Sequence, residues 1–209
     1  MLSQTMPTLP ELLDQSSALH KHLCPRQVIG VRMGLQVESL FGLELPQTNK
    51  RLFTFVETDG CFADGVSVAT GCWLGRRTMR LMDYGKTAAT FVDSKTGRAV
   101  RIWPHPDCRA LASNYVVDAR SRWHAMLEAY QLMPADELLC WCNVELTVSL
   151  KEIISRAGVR VNCEMCGEEI INQREVLRDG LTLCRSCAGD GYYSSEATDA
   201  VEYFKDGCC

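Results

Sequence analysis

The chain has 209 residues, 46% of them hydrophobic, which is enough to build a medium-sized domain with a buried core plus a small module. A net charge of −4 argues against a dedicated nucleic-acid binder, because such proteins draw most of their affinity from neutralising phosphates. Twelve cysteines would mean a disulfide scaffold in a small secreted protein, but there is no N-terminal basic segment followed by an apolar run and a cleavage site, and no stretch approaches the roughly 20 apolar residues that span a bilayer. The thiols are therefore expected to be reduced, in the cytoplasm, and available for metal or for catalysis.

In chain order, Leu9 to Leu19 is predicted as a helix, and a second helix starts at Pro25, whose fixed φ suits a first helical position, and ends near Phe41 before Gly42. Ile29, Met33, Val37 and Leu40 line one face of that helix, and Gly30 and Gly34, one turn apart, would let a neighbouring element come close. Leu52 to Glu57 is predicted as a buried strand running into the turn Thr58-Asp59-Gly60-Cys61, which places Cys61 at the strand end. A short helix follows around Asp64 to Ala69. Strands are then expected at Met79 to Met82, Thr87 to Val92 and Ala99 to Trp103, the last two forming an antiparallel pair across residues 93–98.

Tyr115 to Tyr130 is predicted as one helix with Val116, Trp123, Met126, Leu127 and Tyr130 toward the core, followed by a short helix from Ala135 and a strand at Val144 to Val148. Helices and strands in this order, without regular β-α alternation, define the α+β class: a mixed, largely antiparallel sheet packed with helices. The predicted organisation is a core domain over residues 1–155, a cysteine-rich module over 156–193 reached through a hinge at Ser155 to Arg160, and a polar tail over 194–209.

Cys163-x-x-Cys166, seventeen intervening residues and Cys184-x-x-Cys187 match the spacing of a four-thiolate zinc site, in which each tight turn aims two sulfurs at one ion. With all four tetrahedral positions taken, the role is structural. Zinc then stands in for the core that so small a segment lacks.

Residues 20–25, HKHLCP, place His20, His22 and Cys24 together just before a helix, with Cys24 at the cap, where a thiolate is stabilised. Cys61 is the natural third partner and Cys72 a weaker one. Together they make a mixed nitrogen and sulfur set suited to zinc or another transition metal, and three protein ligands leave a position open for water or substrate. The same groups without metal form a Cys/His nucleophilic pair. Asp59 and Asp64 can orient an imidazole or cap turns. Arg76, Arg77 and Lys86 can hold an anion or form a solvated face. His105 and His124 are read as surface or packing residues, and Cys108, Cys140 and Cys142 have no partner spacing.

Taken in order, HKHLCP, VETDGCFADGVSVATGCWLGR (residues 56–76), DYGKTAATFVD (83–93), TGRAVRI (96–102), CxxCGEEI from Cys163 and LCRSCAGDGYY (183–193) resemble the FmdE family, which takes its name from a component of formylmethanofuran dehydrogenase. The resemblance runs from His20 to Tyr193. It implies an α+β core, often dimeric, with a treble-clef zinc finger at the C-terminus in some members. The usual first motif is HGHLCPG, so His20, His22, Cys24 and Pro25 match while Lys21 and Arg26 replace two glycines; Cys61, Cys72 and Lys86 fall on the TDGC, TGC and DYGK positions.

What the resemblance implies is a metal-binding protein tied to a molybdenum or tungsten oxidoreductase or to its metal supply, forming a homodimer. The expected sites are a structural zinc at Cys163, Cys166, Cys184 and Cys187, and a core pocket in which His22, Cys24 and Cys61, with His20, hold a second transition metal, Lys86 and Cys72 lying nearby. The alternatives are a free-standing enzyme, with Cys24 or Cys61 as nucleophile and His20 or His22 as base, and an interaction or regulatory module that docks a protein through its zinc finger.

Overall fold

The computed structural model describes residues 6–154 and 158–193, so the polar tail predicted over 194–209 lies outside the described residues. The chain divides into two compact units between Thr147 and Val148.

In the first unit, helix α1 (Leu9–His20) opens with Thr8, whose backbone N–H and hydroxyl both donate to the Glu11 carboxylate, at 2.7 and 2.8 Å. Helix α2 (Pro25–Phe41) begins at Cys24, whose backbone N–H donates to Gln27 Oε1 at 2.8 Å, and closes at Gly42. Gln27 is fully buried, and its amide also donates to the Ser16 carbonyl and hydroxyl, at 2.9 and 3.1 Å, so one side chain caps α2 and ties it to α1. Of the face expected on α2, Ile29, Met33 and Val37 are buried and Leu40 packs at the core's edge.

Strand β1 (Leu52–Val56) is buried along its whole length and leads to α3 (Cys61–Thr70). Cys61 is therefore the first residue of a helix. Gly60, at φ 72° and ψ −154°, makes the turn between strand and helix, a conformation that only glycine adopts readily. Strands β2 (Met79–Leu81), β3 (Ala89–Asp93) and β4 (Ala99–Pro104) follow, then helices α4 (Cys108–Tyr115), α5 (Arg122–Leu132) and α6 (Ala135–Leu138), and strand β5 (Leu139–Val144). The sheet order is β2-β1-β3-β4-β5; β1 and β2 are parallel and the other neighbours antiparallel. The unit is a mixed α+β fold, with Met33, Phe62, Phe91, Ile102 and Tyr130 in one core shared by helices and sheet.

Two segments depart from the expectation. The helix predicted from Tyr115 is two helices: Val116 is extended (φ −138°), and Ser121 starts α5 by accepting from the His124 backbone N–H. Adjacent β-branched Val116 and Val117 favour that break. Trp123 consequently lies 42% exposed instead of in the core. The last strand falls at 139–144 and not at 144–148, because Leu139 to Val144 pairs with β4 from Pro104 back to Ala99. Arg32 on α2 anchors the end of α5, donating to the carbonyls of Tyr130, Gln131 and Met133 at 2.9, 3.3 and 2.6 Å.

The glycines of α2 and α3 set how closely those helices approach. A Cβ on Gly30 would collide with the Phe62 carbonyl, one on Gly65 with the Gln27 carbonyl, and one on Gly34 with the Ala69 side chain. The helices run side by side with their N-termini at the same end. We expect Gly30→Ala to cost about 2 kcal/mol, since a backbone neighbour cannot rotate away, and Gly75→Ala, which meets nothing, to stay within about 0.5 kcal/mol of wild type; urea unfolding measures both.

The second unit contains α7 (Leu150–Ile154) and two short antiparallel hairpins, β6 (Arg160–Asn162) with β7 (Glu169–Ile171) and β8 (Val176–Arg178) with β9 (Leu181–Leu183), then one helical turn at Ser186–Asp190. Among the described residues, its apolar centre contains only Cys163, Ile170 and Leu183 as buried residues.

Candidate functional sites

In the second unit the β6 strand delivers Cys163, and the turn through Gly167, closed by its N–H on the Cys163 carbonyl at 2.9 Å, returns Cys166 to the same side. Strand β9 brings Cys184, and the helical turn brings Cys187. The four sulfurs lie within 4.8 Å of one another, and Cys166 and Cys184 are 3.9 Å apart. A tetrahedron with zinc–sulfur bonds of about 2.3 Å has edges of about 3.8 Å, so the four sulfurs are gathered close to the spacing that zinc requires. Backbone N–H groups already point at sulfur, from Cys184 to Cys163 at 3.3 Å and from Cys187 to Cys184 at 3.4 Å. Burial opposes ionisation of Cys163, but the N–H groups of Cys166, Cys184 and Met165 outweigh it and hold its thiol down at about 6. Burial and the neighbouring thiols push Cys187 up, as expected when four sulfurs crowd together without a cation.

In the first unit the close approach of α2 and α3 brings Cys24 and Cys61, at the starts of the two helices, into contact across the mouth of a cleft of about 730 Å³. Burial and the Cys24 thiol push the Cys61 thiol up, against the pull of its own backbone N–H and of Arg26. Without metal, these influences disfavour the Cys61 thiolate. His20 Nε2 contacts Asp64 Oδ2 at 2.5 Å, which fixes the orientation of the ring. His22 Nδ1 donates to the His20 carbonyl at 2.9 Å, leaving Nε2 free, and the two rings meet edge to face at 5.7 Å. Lys21 between them sits at φ 58°, a left-handed conformation that accounts for the glycine of the resembling motif.

His20 and His22 are not among the residues lining the cleft, and among the described residues the finger sulfurs are the one group of three or more potential ligands gathered within 4.8 Å. Cys72 is fully buried away from this cleft: its thiol donates to the Leu52 carbonyl at 3.4 Å and accepts from Gln47 Nε2 at 3.5 Å. Lys86 has an exposed side chain, and its backbone N–H donates to the Glu57 carbonyl at 3.1 Å. Arg76 is spent on the carbonyls of Gln47 and Thr48, at 3.3 and 2.7 Å.

The cleft is also lined by residues that sequence reasoning passed over. His105, read as a surface or packing residue, lines the cleft; its Nδ1 accepts from the Asp107 backbone N–H at 3.2 Å, leaving Nε2 as the ring's donor. Cys108 starts α4, buried, with its thiol donating to the Tyr130 hydroxyl at 3.7 Å. Burial and the Cys108 contact push Tyr130 up, while Arg109 pulls the other way. The one signal available in the sequence was PHPDCR (residues 104–109), a histidine and a thiol three residues apart.

Together these features define a metal-binding protein in two parts: an α+β core with a thiol-edged cleft, and a separate four-cysteine zinc finger. Residues 19–140 match the model of the family described as FmdE, molybdenum formylmethanofuran dehydrogenase operon, and the chain belongs to that family. Residues 156–193 match the prokaryotic dksA/traR C4-type zinc finger. A probable S-adenosyl-L-methionine-binding protein of Archaeoglobus fulgidus is 31% identical over 213 residues, covering 93% of this chain and 57% of that protein, so the chain spans little more than half the relative's length. The crystal structure of a tungsten formylmethanofuran dehydrogenase FmdE-like protein from Syntrophus aciditrophicus has the same fold, with a TM-score of 0.58 and 22% identity over 93% of this chain and 100% of that one. Among the described residues no helix is long and apolar enough to cross a membrane.

Proposed function

We propose that the core cleft is a second metal site, in which Cys24 and Cys61 hold a transition metal with a nitrogen from His22, and that the protein serves a molybdenum or tungsten oxidoreductase system as an accessory or metal-supply partner. The observation that carries this reading is the pairing of Cys24 and Cys61 at the starts of two helices whose glycines force them together. Two thiols in contact, with His22 two residues before Cys24 in the chain and its Nε2 free, are a donor set for a borderline metal once His22 turns toward them. His20 acts through its neighbours: its contact with Asp64 fixes its ring, and its carbonyl orients His22.

Cobalt(II) added to protein whose finger already holds zinc should give a thiolate-to-cobalt charge-transfer band. That band should be lost in Cys24→Ser and Cys61→Ala and weakened in His22→Ala. An unchanged band in Cys61→Ala would overturn the reading. The reading also includes a homodimer, a cytoplasmic location that keeps the thiols reduced, and a treble-clef arrangement for the finger, whose knuckle, hairpins and helical turn follow in that order.

S-adenosyl-L-methionine, named for the relative, is not assigned to this cleft. That molecule carries a sulfonium and an ammonium against one carboxylate, a net positive charge that the two arginines lining the cleft, Arg26 and Arg109, disfavour.

A further inference from the structure

The lining of the cleft contains no Asp or Glu, although the chain as a whole is acidic at −4. Its charged members are two guanidiniums on different elements: Arg26 in the first turn of α2, acting on Cys61, and Arg109 in the first turn of α4, acting on Cys108 and Tyr130. Neither arginine is ion-paired among the described residues. Two carboxylates near the lining residues in sequence are engaged elsewhere, Asp64 with His20 and, more loosely, Asp107 with His105. Arg26 stands where the resembling motif has glycine, so this positive charge is the chain's own departure from the pattern.

The rest of the wall is of another kind. Ile29, Pro104, Pro106, Trp123 and Met126 give it an apolar side, and Trp123, 42% exposed, leaves part of its indole uncovered. A volume of about 730 Å³ is far more than a simple oxyanion fills and falls in the range of sites for small organic ligands. Two unpaired guanidiniums call for a carboxylate or phosphate, and the indole and prolines call for a flat apolar body.

We propose that the cleft binds a small organic anion, a planar body bearing a carboxylate or phosphate, gripped between Arg26 and Arg109 with its ring against Trp123. This rests on the reading of the cleft as the working site and adds the class of molecule it accepts. The anion's charge would lie near the Cys61 thiol, on which Arg26 acts, within reach of a metal held there, while His105 in the same lining offers its Nε2 as a donor.

Calorimetric titration of the full zinc-loaded chain with 1-naphthoate, 1-naphthyl phosphate, 1-naphthylmethylammonium and inorganic phosphate tests it. Both naphthyl anions should bind, the tighter one naming the anionic group, and the ammonium should bind at least about tenfold more weakly. Arg26→Ala and Arg109→Ala should each weaken the anions about tenfold, and Trp123→Ala should weaken the naphthyl anions while leaving inorganic phosphate unchanged. All three variants should keep the wild-type melting temperature. Equal binding of the ammonium, or anion binding unchanged in both arginine variants, overturns the charge assignment. Inorganic phosphate binding as tightly as naphthyl phosphate overturns the organic one. Metal content of the same samples separates the two readings: Cys61→Ala that loses no metal defeats the metal site, and the anion titrations are judged independently of it.

Discussion

Removal of zinc with a chelator is expected to unfold the C-terminal unit while leaving the core folded. With only three buried residues in its apolar centre among the described residues, one of them a ligand, the second unit cannot offset the entropy of ordering its hairpins. In zinc-finger peptides the metal supplies apparent folding energies of about 10–16 kcal/mol, several times what so small a core can provide. The pull on Cys163 toward the thiolate, set by three backbone N–H groups, shows the peptide framework arranged for four sulfurs facing a cation. Circular dichroism should therefore show a partial loss of signal on chelation and on Cys163→Ala. The tryptophans all lie within residues 1–147, so their fluorescence should barely change. A chelated protein whose amides in residues 158–193 stay protected from hydrogen exchange would contradict the metal's structural role.

The second large effect is expected at Asp93, the last residue of β3. Its carboxylate accepts from Arg51 Nε and Nη2 at 2.9 and 2.7 Å, from the Lys95 backbone N–H at 2.9 Å and from the Thr96 hydroxyl at 3.0 Å, and the residue is only 3% exposed. The Arg51 guanidinium above all, with the Lys95 and Thr96 donors, holds this carboxyl well below the usual carboxylate range against the cost of burial. Asp93→Asn keeps the shape, removes the charge and leaves the guanidinium without its partner. Breaking a buried pair costs about 3–5 kcal/mol, and because Arg51 is about one-third exposed we expect about 2–3 kcal/mol.

The same group sets a pH dependence of definite sign. A carboxyl whose folded pKa is depressed contributes stability that is fully present above its unfolded value, about 3.9, and lost as pH falls toward the folded value. The gap between wild type and Asp93→Asn should be constant from pH 7 to about pH 5 and shrink below pH 4. Urea midpoints across that range measure it, and a gap that widened on acidification would refute the assignment.

Much of this architecture is legible in the residues because it is locally encoded. Pro25 and Gly42 bracket α2, Gly30 and Gly34 announce a close neighbour, and the two CxxC pairs carry their own geometry. The parallel pairing of β1 with β2 was not legible, nor was β5, whose LCWCNV sequence lacks the polar alternation of a half-buried strand and takes its form from pairing with β4. The cleft was half visible. Cys24 and Cys61 sit in compact motifs and His105, Cys108 and Arg109 are neighbours in sequence, whereas these two groups and Tyr130 meet only because α5 packs on both α2 and α4. Such contacts depend on tertiary packing and leave little periodic trace. His105 between two prolines reads as a surface or packing residue, yet it lines the cleft. Cys72 shows the converse, since its TGC motif resembles a site element and its thiol is enclosed behind β1.

Metal content per chain, measured by elemental mass spectrometry on protein purified under reducing conditions, tests the central claim most directly. Wild type should carry about two equivalents, with Cys61→Ala and Cys163→Ala each retaining about one and Cys61→Ala keeping the zinc of the finger. One equivalent in wild type, unchanged by Cys61→Ala and abolished by Cys163→Ala, would contradict a metal site in the core and leave the finger as the protein's sole metal centre.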